Sequence, residues 1–229
     1  MKKILIVLTN TTHYMNSSEP TGLWLGEATE FIEKVQKYGF EMDYVSPKGS
    51  FVPLDPRSMK YVNEDVLKTY NSKDFQDRAL SNSLRPEQIR HEDYEAIYYT
   101  GGHGVMWDFP HNEELKKIAM DIYKAGGYIA TVCHGVAGIL ELKDENGHYL
   151  IEGKEITGFT TAEEWIAGKK NKVPFFNDKI AEKRGAKFKK KRAYSEFAVQ
   201  DGRIITGQNP FSVNAVADLL IESLKNKPL

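Results

Sequence analysis

The chain has 229 residues, 41% of them hydrophobic and 28% charged, with 31 basic against 32 acidic side chains and a formal net charge of -1. That balance gives no basic field for nucleic acid or for an anionic membrane, and no apolar run is long enough to span a bilayer. Cys133 is the only cysteine, so no internal disulfide can form and a reducing, cytoplasmic setting is expected.

The length fits one domain, residues 1–229. MKKILIVLTN starts with two lysines and a short apolar run, but Asn10, Thr11, Thr12 and His13 follow at once. It therefore reads as a strand over Lys3–Thr9, buried on both faces, and not as a signal peptide. Asn10–Thr21 is a polar loop. Gly22–Tyr38 has helical spacing at Leu23, Ala28, Phe31, Ile32 and Val35 and is closed by Gly39. Glu41–Ser46 is a second strand. The turn-rich stretch 47–90 is an insertion, with two short helices expected around EDVLKTY and KDFQDRAL.

Tyr94–Thr100 is a third strand and runs into Gly101-Gly102-His103-Gly104. Asn112 caps a helix that ends at Ala125 before Gly126-Gly127. Tyr128–Val132 is the strand that delivers Cys133. Lys143–Gly147 is a charged turn, and Lys154–Phe159 a further strand. A helix opens at Ala162-Glu163-Glu164-Trp165, and another covers Pro174–Arg184. Ala186–Lys191 and Ser195–Val199 read as strands, Asp201-Gly202 as a hairpin turn, and Arg203–Thr206 as its return strand. Pro210–Lys225 closes the chain as an amphipathic helix. The alternation predicts an α/β three-layer sandwich, a mostly parallel sheet with helices on both faces. In such a sheet the site lies beyond the carboxyl ends of the strands. Asn10–Thr21, Gly101–Gly104 and Cys133–Gly135 all fall there.

Thr131–Leu140, TVCHGVAGIL, places a cysteine on a strand-to-helix elbow. A helix beginning there would favour the thiolate. His134 follows directly; its side chain is either an acid/base beside the sulfur or turned away, and its backbone N–H is placed for an oxyanion hole. The Gly101–Gly104 cluster lets backbone approach a ligand and offers further N–H donors; His103 within it is as readily a packing residue as a chemical one. Glu27, taken alone, reads as a solvated helix face, and Glu163 and Glu164 as acids favoured by a helix start. Asp108, after Trp107, has the same ambiguity. No CxxC, HExxH or phosphate-loop pattern occurs, so no metal or nucleotide cofactor is expected.

Taken together, ILIVLTN, GLWLGEATEF, PLDPRS, YYTGGHGVMWDF, GGYIATVCHGVAGIL, ITGFTTAEEW and ITGQNPFSVNAVADLL resemble the ThiJ/PfpI superfamily, in family order and over nearly the whole chain. PLDPRS and the late TGF…EE segment are most similar to its heat-shock chaperone-like, glutathione-independent glyoxalase III branch. The resemblance implies a class I glutamine amidotransferase-like, flavodoxin-like fold. It implies Cys133 as nucleophile, Glu27 as a protonated partner of the sulfur, His134 as acid/base and Glu164 as the acid that orients it, with Glu163 one register away. Gly101, Gly102 and His134 would form the oxyanion site, Trp107 and Asp108 would border the pocket, and the protein would be a homodimer. Thr100 and Val136 stand where the family commonly has proline. The implied reaction is conversion of a 2-oxoaldehyde such as methylglyoxal to a hydroxy acid. A deglycase, peptidase or amidase would use the same nucleophile, and an oxidant-sensing chaperone would expose the same thiol.

Overall fold

The computed structural model of the chain describes residues 3–15 and 17–226. β1 (Lys3–Val7) leads to α1 (Leu25–Lys37) and β2 (Met42–Val45). The insertion holds a 3-10 turn (Pro56–Tyr61), α2 (Glu64–Tyr70) and a π-helical turn (Phe75–Ser81). β3 (Tyr94–Tyr99), α3 (Val105–Asp108), α4 (Glu113–Lys124) and β4 (Tyr128–Val132) precede a 3-10 turn at Cys133–Gly138. β5 (Glu155–Ile156), α5 (Thr161–Ile166), α6 (Asn177–Lys183), β6 (Lys187–Phe188), β7 (Ala198–Asp201), β8 (Ile204–Gly207) and α7 (Val213–Lys225) complete the order.

The main sheet runs β2-β1-β3-β4-β8-β7, parallel throughout except for β7, which pairs antiparallel with β8. Alternation along each strand feeds two cores. Ile4, Ile6, Ala96 and Tyr98 face α1 and α7, whereas Leu5, Val7, Ile97 and Tyr99 face the α4 side. Both faces are covered, which is why these strands are continuously apolar. Among the described residues no helix is long and apolar enough to cross a membrane.

Several boundaries differ from the sequence reading for identifiable reasons. Gly22–Trp24 is extended, not helical, because Leu23 pairs with the insertion: its N–H donates to Pro53 O at 2.8 Å and its carbonyl accepts from Asp55 N at 2.8 Å. The long strand expected over Lys154–Phe159 shrinks to β5, and that over Ala186–Lys191 to β6. The two form a separate two-stranded parallel sheet. The strand near Ser195 is displaced to Ala198–Asp201, and Pro210–Ser212 is a 3-10 turn before α7. The helix expected after the elbow is a six-residue 3-10 turn. Asn112 caps α4 as its residue type demands, accepting from Leu115 N at 2.8 Å.

Candidate active site

β4 ends at Val132 and the chain turns sharply at Cys133, whose φ is +56°. A non-glycine residue held there costs about 1–2 kcal/mol. The turn raises the sulfur over the carboxyl edge of the sheet, between the β1, β3 and β4 loops.

The His134 ring folds back alongside. Nδ1 lies 3.3 Å from Cys133 Sγ, and Nε2 lies 2.6 Å from Glu164 Oε1. Phe159 holds the imidazole from its other face, with ring centroids 4.2 Å apart, and its backbone N–H donates to Cys133 O at 3.1 Å. Sulfur, imidazole and carboxylate thus form one line. Glu164 is buried, and burial opposes its ionisation; the charge and hydrogen bonds of His134 and His103 outweigh that cost and hold it down at about 2.

Glu163 points elsewhere. In the first turn of α5 it closes a capping box with Thr160, accepting from its N at 2.9 Å and its Oγ1 at 2.8 Å. Its other oxygen accepts from Tyr194 N, Gln208 Nε2 and Asn209 Nδ2 at 2.9–3.0 Å. Successive helical residues diverge by about 100°, so one glutamate anchors the helix while its neighbour reaches the imidazole.

Glu27 reaches the sulfur from the opposite side and is fully buried, not on a solvated face. Tyr98 places it: the hydroxyl donates to Glu27 O at 2.8 Å, and the ring stacks on Phe31 one turn along α1 at 3.7 Å. Oε2 accepts from Gly101 N at 2.6 Å, while Oε1 is buried with no hydrogen-bond partner among the described residues; the carboxyl lies beside the Cys133 thiol. Burial pushes the Glu27 carboxyl up to about 8, so it holds a proton at neutral pH. Burial and the adjacent Glu27 push the Cys133 thiol well up, with the His134 N–H pulling the other way. Because Glu27 is protonated, burial is the part that persists at neutral pH. Burial thus favours the thiol at Cys133, against the thiolate that a helix start would favour.

This predicts a pH signature. The ordinary Glu27 value of 4.5 applies to the unfolded chain and about 8 to the folded one. Its contribution to stability is then complete below 4.5, declines between 4.5 and 8 and is lost above, a swing on the order of a few kcal/mol. Glu27→Gln keeps an acceptor for Gly101 and a donor for sulfur without an ionisable proton. Urea unfolding across that range should show a decline in the wild type that is much reduced in this variant.

Gly101 does not serve as a free oxyanion donor, because its N–H is committed to Glu27. A Cβ there would stand 2.4 Å from Glu27 Oε2 and 3.0 Å from Cys133 Cβ, so only glycine lets carboxyl and thiol approach. Gly102, at φ +98°, turns the loop; its N–H makes no hydrogen bond among the described residues and is available beside that of His134. Trp107 and Asp108 do not border the cleft. Trp107 packs edge-on against Tyr14, and Asp108 ties down the end of the β1 loop, accepting from Thr9 Oγ1 at 2.7 Å and Asn10 N at 2.8 Å. Thr100, where family members commonly carry proline, donates through Oγ1 to Val7 O at 2.7 Å, which secures β3 beside β1. Val136, the other departure, is buried against Gly158.

The site contains groups that the residue pattern alone does not reveal. His103 is buried; its Nε2 lies 3.0 Å from Glu164 Oε2 and its Nδ1 2.9 Å from Arg57 Nη2. Arg57 is locked to Asp55 through the insertion's PLDPRS segment. Trp24, Tyr61, Tyr194, Phe211 and Ile166 line a cleft of about 760 Å³ whose floor holds Cys133, His134 and His103. The groups on the floor are nearly covered: Cys133 is 3% and His134 1% exposed.

His103, His134 and Glu164 lie within 4.8 Å of one another, the donor set of a small metal site. Their hydrogen bonds argue against that use. A metal on His103 Nε2 would move the imidazole hydrogen to Nδ1, against the Arg57 N–H, since arginine offers donors only.

A buried thiol with an imidazole on one side, a carboxylate behind that imidazole and a protonated acid opposite has the parts that nucleophilic attack on a carbonyl carbon requires. Residues 2–223 match the DJ-1/PfpI family, and the chain belongs to it. It is 35% identical to the glutathione-independent glyoxalase HSP31 of Saccharomyces cerevisiae over 98% of this chain and 99% of that protein. It is 34% identical to glyoxalase 3 of Candida albicans, with the same coverage of each. Among solved structures, glyoxalase III from Candida albicans superposes with a TM-score of 0.86 at 33% identity over 97% of both chains. The rapid encystment protein of Francisella tularensis does so with a TM-score of 0.94 at 36% identity, over 98% of this chain and 99% of that one.

Proposed function

We propose that the protein converts small 2-oxoaldehydes such as methylglyoxal to 2-hydroxy acids, with Cys133 in the role that a soluble thiol plays elsewhere. The observation that carries this reading is the line Sγ–His134–Glu164 on the floor of a cleft where the sulfur is 3% exposed. A terminal aldehyde meets less steric hindrance at such a floor than the flanked carbonyl of a peptide bond. The glyoxalase names of the two curated relatives support the same reading.

The chemistry follows from the resting protonation states. Sulfur attacks the aldehyde carbon as its proton passes to His134 Nδ1, and the carbonyl π pair becomes an oxyanion near the Gly102 and His134 N–H groups. Protonation of that oxygen gives a hemithioacetal. His134 then removes the hydrogen on the former aldehyde carbon, and the electron pair moves toward the neighbouring ketone to form an enediol. Return of a proton to the second carbon leaves a thioester on Cys133. Water adds to the thioester, the carbon–sulfur bond breaks, and a hydroxy acid departs as the thiol is restored. One carbon is oxidised and its neighbour reduced, so atoms and electrons balance with water as the only co-reactant. Glu164 stabilises the imidazolium formed in the first step, and protonated Glu27 supports the sulfur without repelling it.

Purified protein in thiol-free buffer should convert methylglyoxal to D-lactate mole for mole, read by enantiomer-specific lactate determination. Absence of lactate, with hydrolysis of a peptide or a glycated side chain instead, would replace this reading with the hydrolase one.

A further inference from the structure

The thiol, its base and the acid behind that base do not account for two further groups beside them, His103 and Arg57. Asp55 grips Arg57 side-on, accepting from Nε at 3.0 Å and Nη2 at 2.6 Å, and Thr21 Oγ1 donates to the same carboxylate at 3.0 Å. The guanidinium is thereby aimed, with Nη2 2.9 Å from His103 Nδ1. We propose that Arg57 is a positioning residue which, through His103, keeps Glu164 an ionised acceptor for two imidazoles, so that the bare Nδ1 of His134 faces the Cys133 thiol.

Donors and acceptors decide the arrangement. Arginine has only donors, so His103 Nδ1 must accept, and the single hydrogen of a neutral imidazole then sits on Nε2. That hydrogen points at Glu164 Oε2, 3.0 Å away. The other oxygen, Oε1, receives the Nε2 hydrogen of His134 at 2.6 Å. Glu164 accepts twice and keeps its charge, and His134 is left with its lone pair on the nitrogen 3.3 Å from sulfur. Were His103 turned to the other tautomer, its bare Nε2 would face Oε2. Glu164 would then relieve the conflict by taking a proton, and the charge that stabilises the His134 imidazolium would be gone.

The surroundings also keep His103 from competing for that proton. Burial, the neighbouring His134 and the Arg57 charge push it down to about 4 against the pull of Glu164. The His103 and His134 rings lie 4.1 Å apart, so a second cation there would oppose the first. The insertion thus does more than wall the cleft: PLDPRS supplies the outer end of a donor chain that runs Asp55–Arg57–His103–Glu164–His134–Cys133.

This inference rests on reading Cys133, His134 and Glu164 as the working set, and the test separates the two. Nitrogen-labelled wild-type protein, studied near neutral pH by long-range nitrogen–proton NMR, should show His103 and His134 each with hydrogen on Nε2 and a bare Nδ1; this needs no turnover. In Asp55→Asn/Arg57→Met, which removes the guanidinium without stranding a buried carboxylate, His103 should show mixed tautomers. Its kcat on methylglyoxal should fall on the order of 10- to 100-fold, with KM little changed. Hydrogen on Nδ1 of His103 in the wild type would overturn the proposal whether or not any variant folds. A double variant with unaltered tautomers and kcat would also overturn it, as would a rise in KM alone, the sign of direct substrate contact. A wild type with the expected tautomers but no oxoaldehyde turnover would sink the proposed function and leave the donor chain standing.

Discussion

Cys133→Ala should reduce lactate formation from methylglyoxal by at least about 10⁴-fold, to the rate of buffer alone. No other residue can take its place. The sulfur sits alone on the elbow at φ +56°, with His134 Nδ1 at 3.3 Å and protonated Glu27 on its other side. In the proposed mechanism His134 moves protons and Glu27 supports the sulfur, but neither forms the covalent bond that splits the reaction into accessible steps. The fold should survive, because alanine removes one small buried atom and leaves the backbone strain unchanged. Unfolding should shift by only about 1 kcal/mol, so equilibrium denaturation measured beside the kinetics separates lost chemistry from lost structure.

Glu164→Gln should lower kcat by on the order of 10³- to 10⁴-fold while the protein stays folded. Glutamine is nearly isosteric but has one acceptor and one donor end. Glu164 accepts from both imidazoles, at 2.6 Å from His134 and 3.0 Å from His103. The new amide must turn its NH₂ toward one of them, and that imidazole must present a bare Nε2. Arg57 forbids this for His103, whose Nδ1 already faces a donor. The conflict falls on His134: its hydrogen moves to Nδ1, toward the sulfur, and the thiol loses its base. Stability should fall by about 1.5–3 kcal/mol, the worth of one charge-assisted hydrogen bond in a buried site. Near-normal kinetics in this variant would show that the carboxylate does not orient the imidazole.

Much of this is legible in the residues, and the gaps have physical causes. Continuous apolar strands announce a sheet covered on both faces, and Asn112, Gly39 and Gly126-Gly127 mark helix ends through backbone chemistry that acts locally. The cysteine elbow is visible because a lone cysteine followed by His-Gly after a glycine-bounded strand is a local pattern. Glu27 and Glu164 are not legible alone: each has an ordinary role at its helix position, and only the resemblance to a family singles them out. Which of Glu163 and Glu164 meets His134 depends on the entry angle of α5, set by Thr160, Gln208 and Asn209 together. His103 is ambiguous in the sequence because its partners lie 46 residues before it and 61 after. Trp107 and Asp108, expected at the pocket, lie on the other side of their loop, since a four-residue helix turns them toward Tyr14 and Thr9. A dipole argument from an elbow also leaves out burial, which here opposes the thiolate and acts on both the thiol and the carboxyl beside it.

The proposed mechanism has Cys133 carry the substrate covalently, and acid-quenched single turnovers of wild-type protein with methylglyoxal, followed by peptide mapping by mass spectrometry, trap that adduct. A transient mass increase of one methylglyoxal is expected, confined to the peptide bearing Cys133 and rising and decaying as lactate appears. Lactate formed at full rate with that peptide unmodified at every time point would contradict that mechanism.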